Sequence, residues 1–213
     1  CAAPYRMRGP WHAVGLSLSP LGWAALTRQP ASACIDRFVP ANELLGPDVD
    51  LIAQQITDGS RDGASDGKGA CAMLADWVRP RLHPVPTAHG LLVRLTLDWI
   101  ISGLNPALER LYANSAYSRR QTERLVEHYF GLPPAALARK YRAIRSAALL
   151  AQPDLSDREQ AEIAEAFYDQ PHMVREIRRY CGYTPTRLGG EAEPLFQTML
   201  AMRNFGRLAR IRS

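Results

Sequence analysis

Between Leu108 and Tyr180 the apolar residues recur at helical spacing in four short runs. Leu108, Leu111 and Tyr112 form the first, and Leu125, Tyr129 and Phe130 the second. Ile163, Ala164 and Phe167 form the third, and Met173, Ile177 and Tyr180 the fourth. Residues three and four apart lie on one face of a helix, so each run predicts a helix with one apolar stripe. Polar residues bracket the runs. Asn105 and Pro106 predict the start of the first helix. Ser118 with Gln121, and Ser156 with Glu159, have capping-box spacing ahead of the second and third. Asp169 takes the N-cap place of the fourth, with Pro171 in its first turn, where a missing N–H costs little. Gly131 and Gly182 end the second and fourth helices, where a left-handed residue is wanted. The predicted helices are 106–114, 118–130, 134–150, 157–165, 170–181 and 185–189, with 95–102 leading in. In 134–150, Leu137, Tyr141, Ile144, Ala148 and Leu149 form the stripe expected to face the small cores. Arg139, Lys140, Arg142 and Arg145 are then expected mostly on the solvated side.

Upstream the pattern is weaker. Val14, Leu16 and Leu18 alternate with small or polar residues and predict one strand over 11–19. A short helix or turn is expected at 21–26, and mostly irregular chain over 27–45 with a short helix near its end. Helical pieces are expected at 51–57 and 70–78, and a longer helix at 88–102. A single strand cannot close a barrel or enclose a pocket.

The downstream half is duplicated. Residues 111–134 align without gaps on 162–185, an offset of 51, and six pairs are identical: Ala113/Ala164, Tyr117/Tyr168, Arg124/Arg175, Tyr129/Tyr180, Gly131/Gly182 and Pro134/Pro185. Each copy reads as a short helix, a tight turn and a second helix ending at glycine. Two helical hairpins in an all-α protein would share the apolar pattern. The repeat, the matched caps and the charge together favour two helix-turn-helix units on one strut, entering two successive major grooves.

These residues resemble the AraC/XylS family of bacterial transcription regulators. The resemblance covers about 105–188. It is carried by Ala116-Tyr-Ser-Arg-Arg-Gln-Thr-Glu-Arg124, Tyr129-Phe-Gly-Leu-Pro-Pro134, Ile163-Ala-Glu-Ala-Phe-Tyr-Asp-Gln-Pro-His172 and Arg178-Arg-Tyr-Cys-Gly-Tyr-Thr-Pro185. The second copy is closer to the family signature. Ala166, and likewise Ala116, departs from the glycine usual in the family's turn, where a Cβ in a left-handed conformation would cost about 1 kcal/mol. The resemblance implies a mainly α fold, with two helix-turn-helix subdomains joined by a linker helix and preceded by a partial α+β sensor and connector region. The expected organisation is a truncated sensor and connector over 1–104, the DNA-binding domain over 105–189 and a basic tail over 190–213. The chain starts without methionine and reads as beginning inside a domain, with Phe38-Val-Pro-Ala-Asn-Glu-Leu-Leu45 resembling the end of a sensor.

Charge agrees with this division. Residues 106–213 hold 17 Arg and Lys against 12 Asp and Glu, whereas 1–105 hold 9 of each, so the whole excess of +5 lies in the duplicated half. That is the footprint expected for phosphate contact. In the tail, an amphipathic stretch at 195–205 precedes Arg207, Arg210 and Arg212. It reads as a frayed end rather than a phosphate-contacting helix. No apolar run reaches membrane-spanning length, since 91–104 is broken by Arg94, Asp98 and Gly103. With no secretory signal at its start, the chain is expected in the cytoplasm, with Cys1, Cys34, Cys71 and Cys181 reduced and mostly buried.

Other chemistry is thin. Asp58, Ser60, Asp62 and Asp66 occupy calcium-loop positions with Gly63 at the turn. The closing bidentate carboxylate is replaced by Gly69, and the run reads as a flexible loop. His83 and His89 lie among prolines without a matching thiol or carboxylate and read as loop histidines. There is no nucleophile elbow, phosphate loop or cysteine beside a base, so no catalytic residue, metal or cofactor is assigned. The expected partner is double-stranded DNA, and no membrane role is expected. RNA polymerase and an unidentified small-molecule effector are implied by the resemblance. Arg120, Glu123, Arg124, His172 and Arg175 are the expected base readers, and Ser118, Arg119, Gln170 and Arg178 the expected backbone contacts. Two alternatives are a protein-interaction module that kept the fold without DNA binding, and an enzyme with a non-local site within 1–104.

Overall fold

The computed structural model describes residues 13–63, 66–152 and 154–188, and among these the regular structure is entirely helical. The chain forms α1 (Pro20–Thr27), α2 (Ala41–Leu45), α3 (Asp48–Arg61), α4 (Gly67–Val78), α5 (Thr87–Ile100), α6 (Leu108–Asn114), α7 (Arg119–Phe130), α8 (Pro134–Leu150), α9 (Asp157–Ala166) and α10 (Gln170–Cys181), with 3-10 turns at Ala31–Ala33, Arg79–Arg81 and Pro185–Arg187. Two compact units are present, and the division falls within α5 and within α7. Of the described residues, one unit holds 94–122 and 133–188, and the other 13–93 and 123–132.

The strand expected over 11–19 does not form. Residues 13–19 have no regular structure, and Leu16 and Leu18 stay exposed. The α+β expectation for the upstream region is therefore corrected to an all-helical one among the described residues. A lone alternating run has no neighbour to complete its ladder, so its backbone groups have nothing to pair with in a sheet. Residues 11–12 and the tail from 189 onward lie outside the described residues.

In the unit holding 13–93 and 123–132, α3 packs against both α2 and α4, and α1 packs against α2. Ile52, Ala70, Val78, Leu92, Val93, Val126 and Tyr129 are buried. The Asp58–Gly69 run is no uniform loop: Asp58 lies within α3 and accepts from Gln54, and Asp66 caps α4 through Gly69 N–H at 2.8 Å. His89 is helical rather than a loop residue, and its Nδ1 lies 2.8 Å from the Tyr129 hydroxyl. Gly131 ends α7 at φ +77°, with its N–H on Glu127 O at 2.9 Å.

In the other unit α8 is the hub. Ala143, Ala147 and Ala148 of α8 form one core with Ile177 and Cys181 of α10 and with Leu188. Leu149 joins Leu104, Ile163, Ala166 and Phe167 in a second. The expected stripe is partly right: Leu137, Ala148 and Leu149 are buried, while Tyr141 and Ile144 are half-buried. Burial extends much further around the helix and takes in Arg142 and Arg145, at 9% and 2% exposure, which corrects their expected solvated placement. Arg145 Nη1 donates to Ile100 O at 2.9 Å and also to Gly103 O, meeting carbonyls left open where α5 ends. Burial lowers its pKa to about 10, opposed by the Glu162 charge, so it remains a cation at neutral pH.

The caps expected at Ser156 and Asp169 form, Ser118 Oγ accepts from Gln121 N–H, and the cap expected at Asn105 does not form. Ser156 Oγ accepts from Glu159 N–H at 3.3 Å while Glu159 Oε2 accepts from Ser156 N–H at 3.0 Å, a complete capping box. Asn105 does not cap α6. That helix starts two residues later, after Ala107, and Asn105 Oδ1 accepts from Arg142 Nη1 at 3.2 Å instead. Ala166 is the buried last residue of α9, and Ala164 faces out, reversing the expected assignment. Among the described residues, positive φ outside glycine occurs only at Arg28 and Asp36. The turns at Ala116 and Ala166 are thus built without the left-handed alanine that would have strained them. Cys181 is buried, and burial pushes its thiol up to about 11, but Cys71 is exposed and Cys34 half-buried, contrary to the expectation of burial for most.

Candidate nucleic-acid interface

The second helix-turn-helix is built from α9, a turn at 167–169 and α10. Asp169 Oδ1 accepts from His172 N–H at 2.6 Å, Pro171 occupies the first turn, and Gly182 closes the helix at φ +81°. Ile177 and Cys181 anchor one side of α10 in the core, so the opposite side is presented outward. Arg175, Arg178 and Arg179 stand exposed there at relative positions one, four and five, with Gln170 exposed at the N-terminal end. The Arg179 guanidinium lies over the Tyr180 ring, 5.5 Å from its centroid.

His172 is placed differently from the arginines. Its Nε2 lies 3.2 Å from Glu176 Oε1, its ring meets Phe167 edge-on at 5.9 Å, and its Nδ1 is buried without a partner. Glu176 is itself held from α8. Arg142 Nη2 and Nε reach Glu176 Oε2 at 2.7 and 3.1 Å, and the guanidinium lies over Phe167 at 4.9 Å. This chain of contacts, Arg142 to Glu176 to His172, fixes the first turns of α10 to the strut. The His172–Glu176 spacing of four is visible in the sequence. The Arg142–Glu176 pair spans 34 residues and leaves no local signal.

The first helix-turn-helix is α6, a turn and α7. Ser118 Oγ accepts from Gln121 N–H at 3.4 Å. In the turn, Ser115 and Thr122 hydroxyls pair at 2.7 Å, Tyr117 N–H donates to Ser115 Oγ, and Thr122 is fully buried. Along α7, Arg119, Arg120, Gln121, Arg124 and Glu127 are exposed, Glu123 is half-buried, and Leu125, Val126 and Tyr129 are buried. The Arg119 guanidinium lies over the Tyr112 ring at 4.6 Å. The positions expected for base reading and backbone contact thus split by placement. Arg120, Arg124, Arg175, Ser118, Arg119, Gln170 and Arg178 are exposed on the two capped helices, Glu123 is partly covered, and His172 is turned inward. Arg179 joins the exposed set, although its position on the same face as Arg175 was already legible from the helical period.

A pair of short helix, turn and capped helix with outward arginines defines a DNA-binding protein of the helix-turn-helix class. Residues 111–189 match a family model described as a helix-turn-helix domain. This segment is similar to the DNA-binding domain of AraC/XylS-type transcription regulators. Comparison with curated proteins and with solved structures gave no match. No helix among the described residues is long and apolar enough to cross a membrane.

Proposed function

We propose that this regulator reads two successive major grooves of one duplex, with the first turns of α7 and α10 as the reading elements. The observation that supports this most directly is the recurrence on both helices of one design. A polar N-cap opens each helix, arginines stand out on the exposed side, and a left-handed glycine closes it. In this reading Arg120, Glu123, Arg124 and Arg175 meet base edges. Arginine grips guanine O6 and N7 with two donors, and glutamate accepts from cytosine N4. Ser118, Arg119, Gln170 and Arg178 hold phosphates and set the register. His172 reads a base only by giving up Glu176; otherwise it positions the helix. The strut α8 is proposed to separate the readers by about 34 Å, one turn of B-DNA. RNA polymerase and a small-molecule effector are proposed as the other partners. Residues 1–104 are proposed as the connector side of the molecule and 105–189 as the reading side.

Selection of bound sequences from random duplexes, followed by hydroxyl-radical footprinting, tests this. Two short recognised blocks about one helical turn apart on one face of the duplex are expected. Protection of a single groove would mean that one reader is silent. Absence of any salt-dependent DNA binding would overturn the reading.

A further inference from the structure

Reading DNA leaves a cavity of about 460 Å³ in the second helix-turn-helix unused. Its apolar walls include Leu155, Ile163, Phe167 and Met173, and Asp169 and Gln170 stand at its edge. Gln160 also borders it, but its amide already donates to Leu155 O. The volume falls within the range of small-molecule sites, about 300–1,000 Å³, and a mostly apolar wall with few polar groups is their usual make-up.

We propose that this cavity is a binding site for a small, largely apolar organic molecule that is uncharged or cationic and carries one hydrogen-bonding group at the Asp169 end. The charge preference follows from Asp169. It is an exposed carboxylate that uses Oδ1 to cap α10, and it would repel a carboxylate or phosphate brought beside it. The site also has a mechanical consequence, which rests on the proposed reading role of α10. Asp169 is the N-cap of that helix, and Gln170 and Met173 lie in its first turn, so a molecule filling the cavity bears on the segment that meets DNA. Occupancy then changes operator affinity without touching the exposed arginines.

The test uses the full chain and two fluorescent probes, neutral 1-aminoanthracene and anionic anilinonaphthalene sulfonate. The neutral probe should bind saturably at one site and the anionic probe at least tenfold more weakly. Ala164→Trp adds bulk from an exposed wall residue and should weaken the neutral probe at least tenfold without lowering the melting temperature. Tyr168→Ala, which removes a wall group that is 94% exposed, should weaken it severalfold whether or not the tryptophan variant folds. Asp169→Asn keeps a capping side chain and should bring the two probes' affinities together. No saturable binding, or binding that both wall variants leave unchanged, would overturn the site. Operator affinity measured with and without neutral probe should differ at least threefold in the wild type and not in Ala164→Trp; equal affinities would overturn the regulatory consequence. DNA binding without probe is scored separately, so a failure of the DNA-reading proposal leaves the probe titration decisive for the cavity.

Discussion

Replacing Arg142 by methionine should destabilise the unit built on α8 far more than loss of a surface ion pair would. The Arg142 and Glu176 side chains are only 10% and 12% exposed, so little solvent screens them. Methionine would preserve much of the stem's packing and remove the guanidinium from Glu176, Asn105 and Phe167 together. A solvent-exposed pair contributes about 0–1 kcal/mol. Breaking a buried pair by removing one partner costs about 3–5 kcal/mol, because the remaining charge stays desolvated. The lower end applies here, since Glu176 keeps the His172 contact at 3.2 Å. A loss of about 3 kcal/mol corresponds to a fall of roughly 6–12 °C in melting temperature for a chain of this size. Glu176→Met should cost a similar amount by stranding Arg142. The double substitution should cost much less than the sum, with a coupling of at least ~2 kcal/mol, because neither charge is then left buried. Urea unfolding followed by far-ultraviolet circular dichroism measures all four corners of the cycle. Single losses below ~1 kcal/mol that simply add in the double variant would show a water-screened pair, and the account of α10 being tied to the strut through Arg142 would fail.

Three further outcomes are expected. Arg124→Ala and Arg175→Ala should each weaken binding to the selected operator by ~1–3 kcal/mol and relax preference at one base pair, measured by fluorescence anisotropy; both behaving as wild type would contradict the reading-helix assignment. His128 has its pKa lowered by burial first, then by His89 and Arg124, so the unfolded chain takes up the proton more readily. Its contribution is therefore constant above the unfolded value of about 6.5 and turns destabilising as pH falls through that value toward the folded pKa. His128→Gln should lose less stability than wild type between pH 7.5 and 5.5, and parallel curves would refute this. Gly131→Ala places a Cβ at φ +77° and 3.2 Å from Ile35 Cδ1 and 3.3 Å from Ala31 O, and a loss of ~1–3 kcal/mol is expected in thermal melts; an unchanged melting temperature would mean that the turn relaxes freely.

What could be seen in advance divides by the range of the interaction. Caps, glycine stops and apolar periods act within one or two turns of chain. Ser156 with Glu159, Asp169, Gly131 and Gly182 accordingly stand in the structure as their spacing indicates. The helix at 134–150 was legible to its ends. The failures are contacts between distant residues. Asn105 has the chemistry of a cap but meets Arg142 from 37 residues away, and the Tyr129 hydroxyl that meets His89 Nδ1 comes from 40 residues away, although the helix expected over 88–102 already took in His89. At 11–19 the alternation was real but carried no information about a partner strand. At Ala166 the comparison with a glycine-containing turn implied strain. Here the helix runs on to Ala166, so the alanine is accommodated in helical geometry.

The two buried arginines also change what the charge of this half of the chain signifies. A helix with Arg139, Lys140, Arg142 and Arg145 invites assignment to phosphate contact or to solvent. Yet Arg145 satisfies carbonyls at the end of α5, and Arg142 fastens α10. Arg142 can do this because its flat head reaches Glu176 and Asn105 at once through several donors, which a lysine at the same position could not match, whereas Arg145 acts through Nη1 alone. Cations engaged in this way are unavailable to DNA, so the net excess of +5 overstates what supports recognition. In the proposed reading the weight falls instead on Arg119, Arg120 and Arg124 of α7 and on Arg175, Arg178 and Arg179 of α10, all exposed on helices opened by polar caps. Reading and bracing are therefore separated by position. The exposed arginines stand on α7 and α10, while buried ones of the same residue type brace the unit built on α8.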